Sequence, residues 1–260
     1  MVKNLLIANI GIFVLQAFLN LPLSYLFGLR VIFSDQFAIY QFLTYMWIHG
    51  SFGHLLGNMF AVFIFGPLLE QVFGAKRFLI FYLACGIGAG ILFGAVDLAQ
   101  TLPLKNAVES YRANPTPEAF EKIVVDNKDR FNITAVADFI DRYYENPNNT
   151  SLQQRSIQEV RGLYEANLNI PMVGASGAVF GILMAFGLLF PNMTLMLLIP
   201  PIPVKAKYLV LFYGLYELYA EFSRTPGDNV AHLAHLGGML IAFIMIRVWQ
   251  KNGKIPNRLY

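Results

Sequence analysis

The chain has 260 residues, of which 56% are hydrophobic and only 13% are charged, and its formal net charge is +3. A typical soluble domain carries about 25% charged residues, so this composition predicts an integral membrane protein in contact with the lipid bilayer. The small net charge gives no reason to expect a nucleic-acid partner. A single cysteine, Cys85, excludes an internal disulfide and a cysteine-based metal cluster.

Six apolar segments predict membrane-spanning helices, since a bilayer core requires about 20 apolar residues. The first follows Lys3 like a signal peptide, but no small-residue cleavage site comes after it, so we interpret it as a retained span. Between the fourth and fifth segments, Pro200, Pro201 and Pro203 predict a turn and not a further helix. The six segments are Leu5–Tyr25, His54–Phe73, Phe78–Ala99, Met172–Phe190, Tyr208–Glu221 and Val230–Val248.

Basic residues near the ends of these segments predict the topology. If the six spans alternate in direction, Lys76, Arg77, Lys205 and Lys207 fall on one side of the membrane. The positive-inside rule makes that side cytoplasmic and places both termini there. We expect a multi-pass protein of a bacterial inner (plasma) membrane.

A polar, charge-rich segment interrupts the apolar pattern and divides the chain into three parts. Residues 1–97 would form transmembrane helices 1–3, residues 98–170 a soluble extracytoplasmic insertion, and residues 171–260 helices 4–6 with a cytoplasmic tail. Within the insertion, Thr116 followed by proline predicts the start of an amphipathic helix, one of two or three. The insertion could bind a partner, shield a site or be a tolerated elaboration.

Polar residues mark the beginnings of the second, fourth and sixth spans, which would all lie on the non-cytoplasmic side. The second begins HGSFGHLLGN with His54 and Asn58, the fourth begins with Ser176, and the sixth begins VAHLAHLGG with His235. At 1.5 Å rise per residue Ser176 and His235 reach similar depths, so a histidine could serve as general base to a serine. His54 and Asn58, four residues apart, share one helix face and could donate hydrogen bonds to an oxyanion.

Small residues around the serine and the histidine would let these helices approach closely. Gly174 and Gly177 flank Ser176, and Gly238 follows the histidine, as small residues do at helix contacts in membranes. Phe180, one turn after Ser176, is in a position to stack on the imidazole.

Three acidic residues lie near the outer ends of the fifth and sixth spans. Asp228 precedes His235 by seven residues, about 10 Å along a helix, so we expect a serine–histidine pair without it. Glu217 and Glu221 share one face of the fifth span, and we interpret them as hydrated or hydrogen-bonded interfacial carboxylates, with a role in gating beside the serine–histidine site as the alternative.

Taken together, GASG, AHLGG and H-x-x-x-N in this sequence resemble the motifs of the rhomboid family of intramembrane serine proteases. The resemblance implies a six-helix fold and a serine endopeptidase that cuts transmembrane or juxtamembrane segments of membrane-protein substrates through an acyl-enzyme. It implies Ser176 as nucleophile and His235 as general base and acid. His54, Asn58 and the backbone N–H of Ser176 would bind the oxyanion, and we expect no metal or cofactor.

The resemblance covers residues 40–97 and 171–250 and has two departures. Tyr40 and Gln41 stand where many members have a Trp-Arg pair, which puts the usual anchoring of the first loop in question. The segment at 98–170 is longer than the short loop expected between the third and fourth helices.

Two alternative functions stay open from the sequence. The first is a catalytically inactive rhomboid-like protein that binds membrane clients. The second is a metal-dependent or proton-coupled membrane protein that uses His49, His54, His232 and His235, since His-x-x-His spacing can chelate a metal. We interpret His232 as an interfacial polar residue and His49 as a histidine that packs in a loop.

Overall fold

The computed structural model of the chain describes residues 1–127, 133–196, 201–223 and 230–256. Within these residues the fold consists of eleven α-helices, one 3₁₀ turn at Tyr45–Trp47 and one pair of short strands. The α-helices are α1 (Val2–Phe18), α2 (Leu23–Phe27), α3 (Gln41–Thr44), α4 (Phe52–Phe73), α5 (Ala75–Ala113), α6 (Pro117–Asp126), α7 (Ile133–Glu145), α8 (Thr150–Leu168), α9 (Ser176–Leu189), α10 (Ala206–Phe222) and α11 (His232–Lys251).

The chain divides into two compact units. The first comprises Met1–Leu29, Ala38–Gly94 and Pro171–Tyr260, and it contains α1 to α4 and α9 to α11. The second comprises Arg30–Phe37 and Ala95–Ile170, and it contains α6 to α8. Helix α5 contributes its first part to one unit and its last part to the other.

Several helices of the first unit have the length and surface of membrane helices. Among the described residues, α4, α5 and α11 are long and apolar enough to cross a bilayer, while α1 and α9 are shorter apolar helices of 17 and 14 residues. Large apolar side chains face outward, among them Phe60 and Phe63 on α4 and Phe212 and Leu215 on α10. Lipid would cover such surfaces. Each of the six predicted segments contains a helix, and the number that cross the membrane stays a prediction.

Helix α5 continues past the point where we expected the third span to end. It runs without a break through Ala99 to Ala113. Its last turns carry Leu104, Val108 and Tyr111 into the hydrophobic core of the second unit, and this burial stabilises helix in a segment whose composition is otherwise polar.

The second unit is a small helical assembly with its own core. Helix α6 begins where its sequence predicts, because the Thr116 hydroxyl accepts a hydrogen bond from the backbone N–H of Ala119 at 3.2 Å. Phe120, Tyr143 and Val160, one from each of α6, α7 and α8, are fully buried together. These three helices match the two or three amphipathic helices expected.

One pair of strands was not predicted. Strands β1 (Thr194–Met196) and β2 (Pro203–Lys205) pair antiparallel between α9 and α10, so the fold is not purely helical. Residues 190–196 and 201–205 form no further helix, as the prolines predicted, and Pro203 is tolerated because a two-stranded pair consists only of edges. Pro200 lies outside the described residues.

Helices α9 and α11 make the most extensive helix contact of the first unit. A methyl group added to Gly238 would lie 1.8 Å from the carbonyl oxygen of Gly177. One added to Gly177 would lie 2.5 Å from Cβ of Ala89, and one added to Gly181 would lie 2.7 Å from Cβ of Cys85. The two helices therefore touch backbone to backbone, and α5 packs against Gly177 and Gly181 of α9.

We expect Gly238→Ala to destabilise the protein, because the new methyl group meets backbone and not a movable side chain. Overpacking of this kind lowers the free energy of unfolding by about 1–3 kcal/mol. Each kcal/mol lost lowers the thermal midpoint by roughly 2–4 °C. The measurement is thermal unfolding of the detergent-solubilised protein. Gly11→Ala on α1, where no atom lies within 4 Å of the added carbon, is the matched control and should not lower the midpoint. Equal midpoints for the two variants would contradict the close contact.

Candidate active site

Ser176 is the first residue of α9 and follows a turn that only glycine adopts easily. Gly174 has φ of +122°, and its backbone N–H donates a hydrogen bond to the carbonyl oxygen of Tyr45 at 2.9 Å. The turn places the half-buried Ser176 at the beginning of the helix. There the first N–H groups have no acceptor within the helix and carry its positive end.

His235 lies within hydrogen-bonding distance of this serine. Its Nε2 atom is 2.8 Å from Oγ of Ser176, and the histidine is buried, with 8% of its surface exposed. The ring of Phe180 stacks on the imidazole, with centroids 4.2 Å apart and planes 6° apart. The stacking expected from the sequence is present, and it fixes the plane of the imidazole beside the hydroxyl.

Helix α4 supplies His54 and Asn58. The Ser51 hydroxyl caps this helix by accepting a hydrogen bond from the backbone N–H of His54 at 3.2 Å. The His54 ring lies directly against Gly174, where an added methyl carbon would be 2.5 Å from both Cε1 and Nε2 of the ring. The Nδ2 group of Asn58 is buried and finds no hydrogen-bond acceptor among the described residues. Because buried donors are nearly always paired, this amide is available to bind a ligand oxygen.

Glu217 on α10 belongs to the site, which sequence reasoning missed. Its side chain is buried, with 4% of its surface exposed, so it is not a hydrated carboxylate but a hydrogen-bonded one. Its Oε2 atom lies 2.6 Å from Nδ1 of His232 and 2.8 Å from Nδ1 of His235. The signal in the sequence was an ionisable residue in an apolar helix, but its partner depends on how α10 packs against α11.

Two further histidines differ in their surroundings. His232 is buried and bonded to Glu217, a partner that its interpretation as an interfacial polar residue did not include. His49 is fully buried and packs edge-on against the ring of His54, with centroids 5.1 Å apart. Burial, together with His54 nearby, lowers the pKa of His49 to about 4, so this ring is neutral at pH 7 and packs as predicted. Asp228 lies outside the described residues.

Glu217, His232 and His235 are also the set of described residues whose ligand atoms could hold a metal ion, since those atoms lie within 4.8 Å of one another. The carboxylate oxygen, however, is already 2.6 and 2.8 Å from the two ring nitrogens. Two ligands bound to tetrahedral zinc at 2.0–2.1 Å would stand about 3.3 Å apart. The observed spacing fits a hydrogen-bonded cluster better than a metal centre.

The described residues define a helical membrane protein in which a serine and an imidazole meet at the beginnings of two packed helices. Residues 36–106 and 152–251 match the sequence model of the Rhomboid domain. The chain therefore belongs to the rhomboid family.

Similar proteins carry rhomboid names. RHOMBOID-like protein 12, mitochondrial, of Arabidopsis thaliana is 27% identical over 248 residues, which are 94% of this chain and 56% of the relative. RHOMBOID-like protein 6, mitochondrial, of the same plant is 47% identical over 53 residues, 20% of this chain and 17% of the relative. Rhomboid-like protein 11, chloroplastic, is 29% identical over 90 residues, 34% of this chain and 30% of the relative. The chain thus spans about half, or less, of the length of the relatives it matches.

The contact between Gly174 and His54 can be measured by a double-mutant cycle. We expect Gly174→Ala to lower the thermal midpoint, because the residue has a positive φ and the added carbon would overlap the His54 ring. In a His54→Ala background the same substitution should cost less, since only the backbone strain remains. Additive effects of the two substitutions would show that the ring does not rest on Gly174.

Proposed function

We propose that this chain is an intramembrane serine endopeptidase, with Ser176 as nucleophile and His235 as general base and acid. Membership of the rhomboid family does not decide this by itself, since the family includes inactive members as well as proteases. The observation that carries the proposal is the 2.8 Å separation of Ser176 Oγ and His235 Nε2 at the start of α9. An inactive client-binding protein has no need of this pair.

The reaction follows from these two groups. Nε2 of His235 takes the proton of the Ser176 hydroxyl as Oγ attacks the carbonyl carbon of a peptide bond. The same nitrogen then gives that proton to the leaving amine, which breaks the C–N bond and leaves an acyl-enzyme on Ser176. A water molecule, deprotonated in turn by His235, hydrolyses the ester and restores the hydroxyl.

The oxyanion that forms at each attack needs hydrogen-bond donors. The unpartnered Nδ2 group of Asn58 supports its assignment as one donor, and we assign His54 and the backbone N–H of Ser176 as the others. Donors fixed in a water-poor site are effective because they need no rearrangement as the charge develops. Gly174, Gly177, Phe180 and Gly238 would support the site by close packing and stacking.

The substrates we propose are transmembrane or juxtamembrane segments of other membrane proteins, reached through the lipid. Outward-facing apolar side chains on α4 and α10 support contact with lipid on both helices. The proposal retains six spans, an extracytoplasmic helical insertion at 98–170 and both termini on the cytoplasmic side. Relatives are named mitochondrial and chloroplastic in a plant, and a bacterial inner membrane stays our prediction for this chain.

The first test is covalent labelling of purified protein with a fluorophosphonate probe, which reacts with an activated serine. We expect the wild type to be labelled and to cleave a reconstituted transmembrane substrate, and Ser176→Ala to do neither. Addition of a metal chelator should leave cleavage unchanged. A folded wild type that is not labelled, or a Ser176→Ala variant labelled equally, would falsify the assignment.

Asn58→Ala tests the oxyanion donors. We expect this variant to lower the turnover number by about 10²–10³ if Asn58 is an essential donor, and by less if His54 and the backbone compensate. The measurement is cleavage of the same substrate, with the thermal midpoint as a check on folding. An unchanged turnover number in Asn58→Ala would remove this residue from the site.

A further inference from the structure

Burial of Glu217 on an apolar helix costs free energy of desolvation. A carboxylate removed from water loses several kcal/mol of solvation unless charged or polar partners replace the solvent. On α10 only 4% of its surface is exposed, and it has no neighbouring lysine or arginine among the salt bridges of the described residues. Its partners are the two histidines of α11, and one of them is His235.

A single carboxylate oxygen serves both histidines. Oε2 accepts a hydrogen bond from the His232 ring with the two atoms 2.6 Å apart, and it lies 2.8 Å from Nδ1 of His235. The His235 ring does not aim Nδ1 at the oxygen closely enough for a well-aligned hydrogen bond. A small rotation of either side chain would align it, because the distance is already short enough.

The contact lies on the side of the imidazole opposite the reacting nitrogen. Ser176 meets Nε2 of His235, and Glu217 meets Nδ1 of the same ring. A carboxylate beside Nδ1 favours the tautomer with the proton on that nitrogen, which leaves the Nε2 lone pair free to accept the serine proton. It also stabilises the imidazolium that forms when that proton arrives.

Stacking and the carboxylate restrict different motions of the ring. Phe180, with its plane 6° from that of the imidazole, prevents tilting but allows the ring to slide within its plane. A hydrogen bond at Nδ1 would restrict this remaining motion and set the direction in which Nε2 points.

We propose that Glu217 is a positioning residue for His235, acting on its tautomer, orientation and charge while its other bond, to His232, holds the carboxylate in place. This role rests on the proposed protease function. A purely structural alternative is that Glu217 only ties α10 to α11 through His232. The two differ in which variant of the cluster slows the chemical step.

The test compares Glu217→Gln, Glu217→Asp, His232→Gln and the control Glu221→Gln, in which a half-buried carboxyl one turn further along α10 undergoes the same change. Each variant is reconstituted in lipid vesicles with a transmembrane substrate. We measure kcat and KM separately, the rate of fluorophosphonate labelling and the thermal midpoint.

We expect Glu217→Gln to lower kcat and the labelling rate by about 10²-fold, less than in a serine protease whose triad carboxylate is fully engaged, with KM within about twofold. His232→Gln should cost less than about tenfold, because Glu217 still faces His235. Glu221→Gln should match the wild type. If Glu217→Gln does not fold, Glu217→Asp distinguishes the positioning role from the structural one. The aspartate keeps the negative charge but holds it further from the His235 ring, so this variant should have a lower kcat and an unchanged KM.

Other outcomes separate the two proposals. Equal losses in Glu217→Gln and His232→Gln that follow the fall in thermal midpoint would assign Glu217 the structural role. Wild-type kcat in folded Glu217→Gln or Glu217→Asp would also overturn the positioning role, while labelling of Ser176 would leave the protease function standing. A wild type that neither cleaves nor is labelled would overturn both.

Discussion

The backbone contact between α9 and α11 is the constraint on which the site depends. Because Gly177 and Gly238 have no side chains, the two helices approach until the backbone of one rests on that of the other. Only at this separation can a short serine side chain on one helix reach an imidazole on the next. In a bilayer, where no hydrophobic effect drives helices together, close packing of small residues is the main source of such association. The same glycines thus serve stability and chemistry.

The cluster of Glu217, His232 and His235 adds a second kind of constraint. An unpaired Glu217 carboxylate would destabilise the fold, so removal of its histidine partners should lower stability. The carboxylate joins α10 to α11 through both of its histidine contacts. Packing of α10 is thereby linked to the geometry of the Ser176–His235 pair. On this helix Phe212 and Leu215 face outward while Glu217 is buried against the histidines of α11.

Parts of this arrangement could be predicted from sequence, and the reasons are local. The positions of Ser176 and His235 near helix beginnings, and of Phe180 one turn further on, follow from helical spacing, and the structure brings these three side chains together. Their catalytic roles stay a proposal. Thr116 marked the start of α6 for the same reason, since a cap acts within one turn.

What could not be predicted depends on tertiary packing. Glu217 pairs with a residue 18 positions later, and nothing in the spacing along either helix indicates which carboxylate meets which ring. The continuation of α5 past Ala99 depends on Leu104 and Val108 being buried in the core of the second unit. The β1–β2 pair depends on two three-residue segments pairing antiparallel, and segments so short show no hydrophobic periodicity that would predict a strand.

The brevity of α9 has a consequence for the surrounding lipid. Its 14 residues extend about 21 Å, whereas a typical hydrocarbon core is about 30 Å thick. If it spans as proposed, this leaves a hydrophobic mismatch of about 9 Å on the helix that begins with Ser176. The bilayer beside α9 must become thinner, so that headgroups and water lie closer to the helix end. This thinning costs fractions of a kcal/mol per Å of mismatch. The protein would then favour thin membranes, and water would reach the Ser176 hydroxyl from the lipid side of α9.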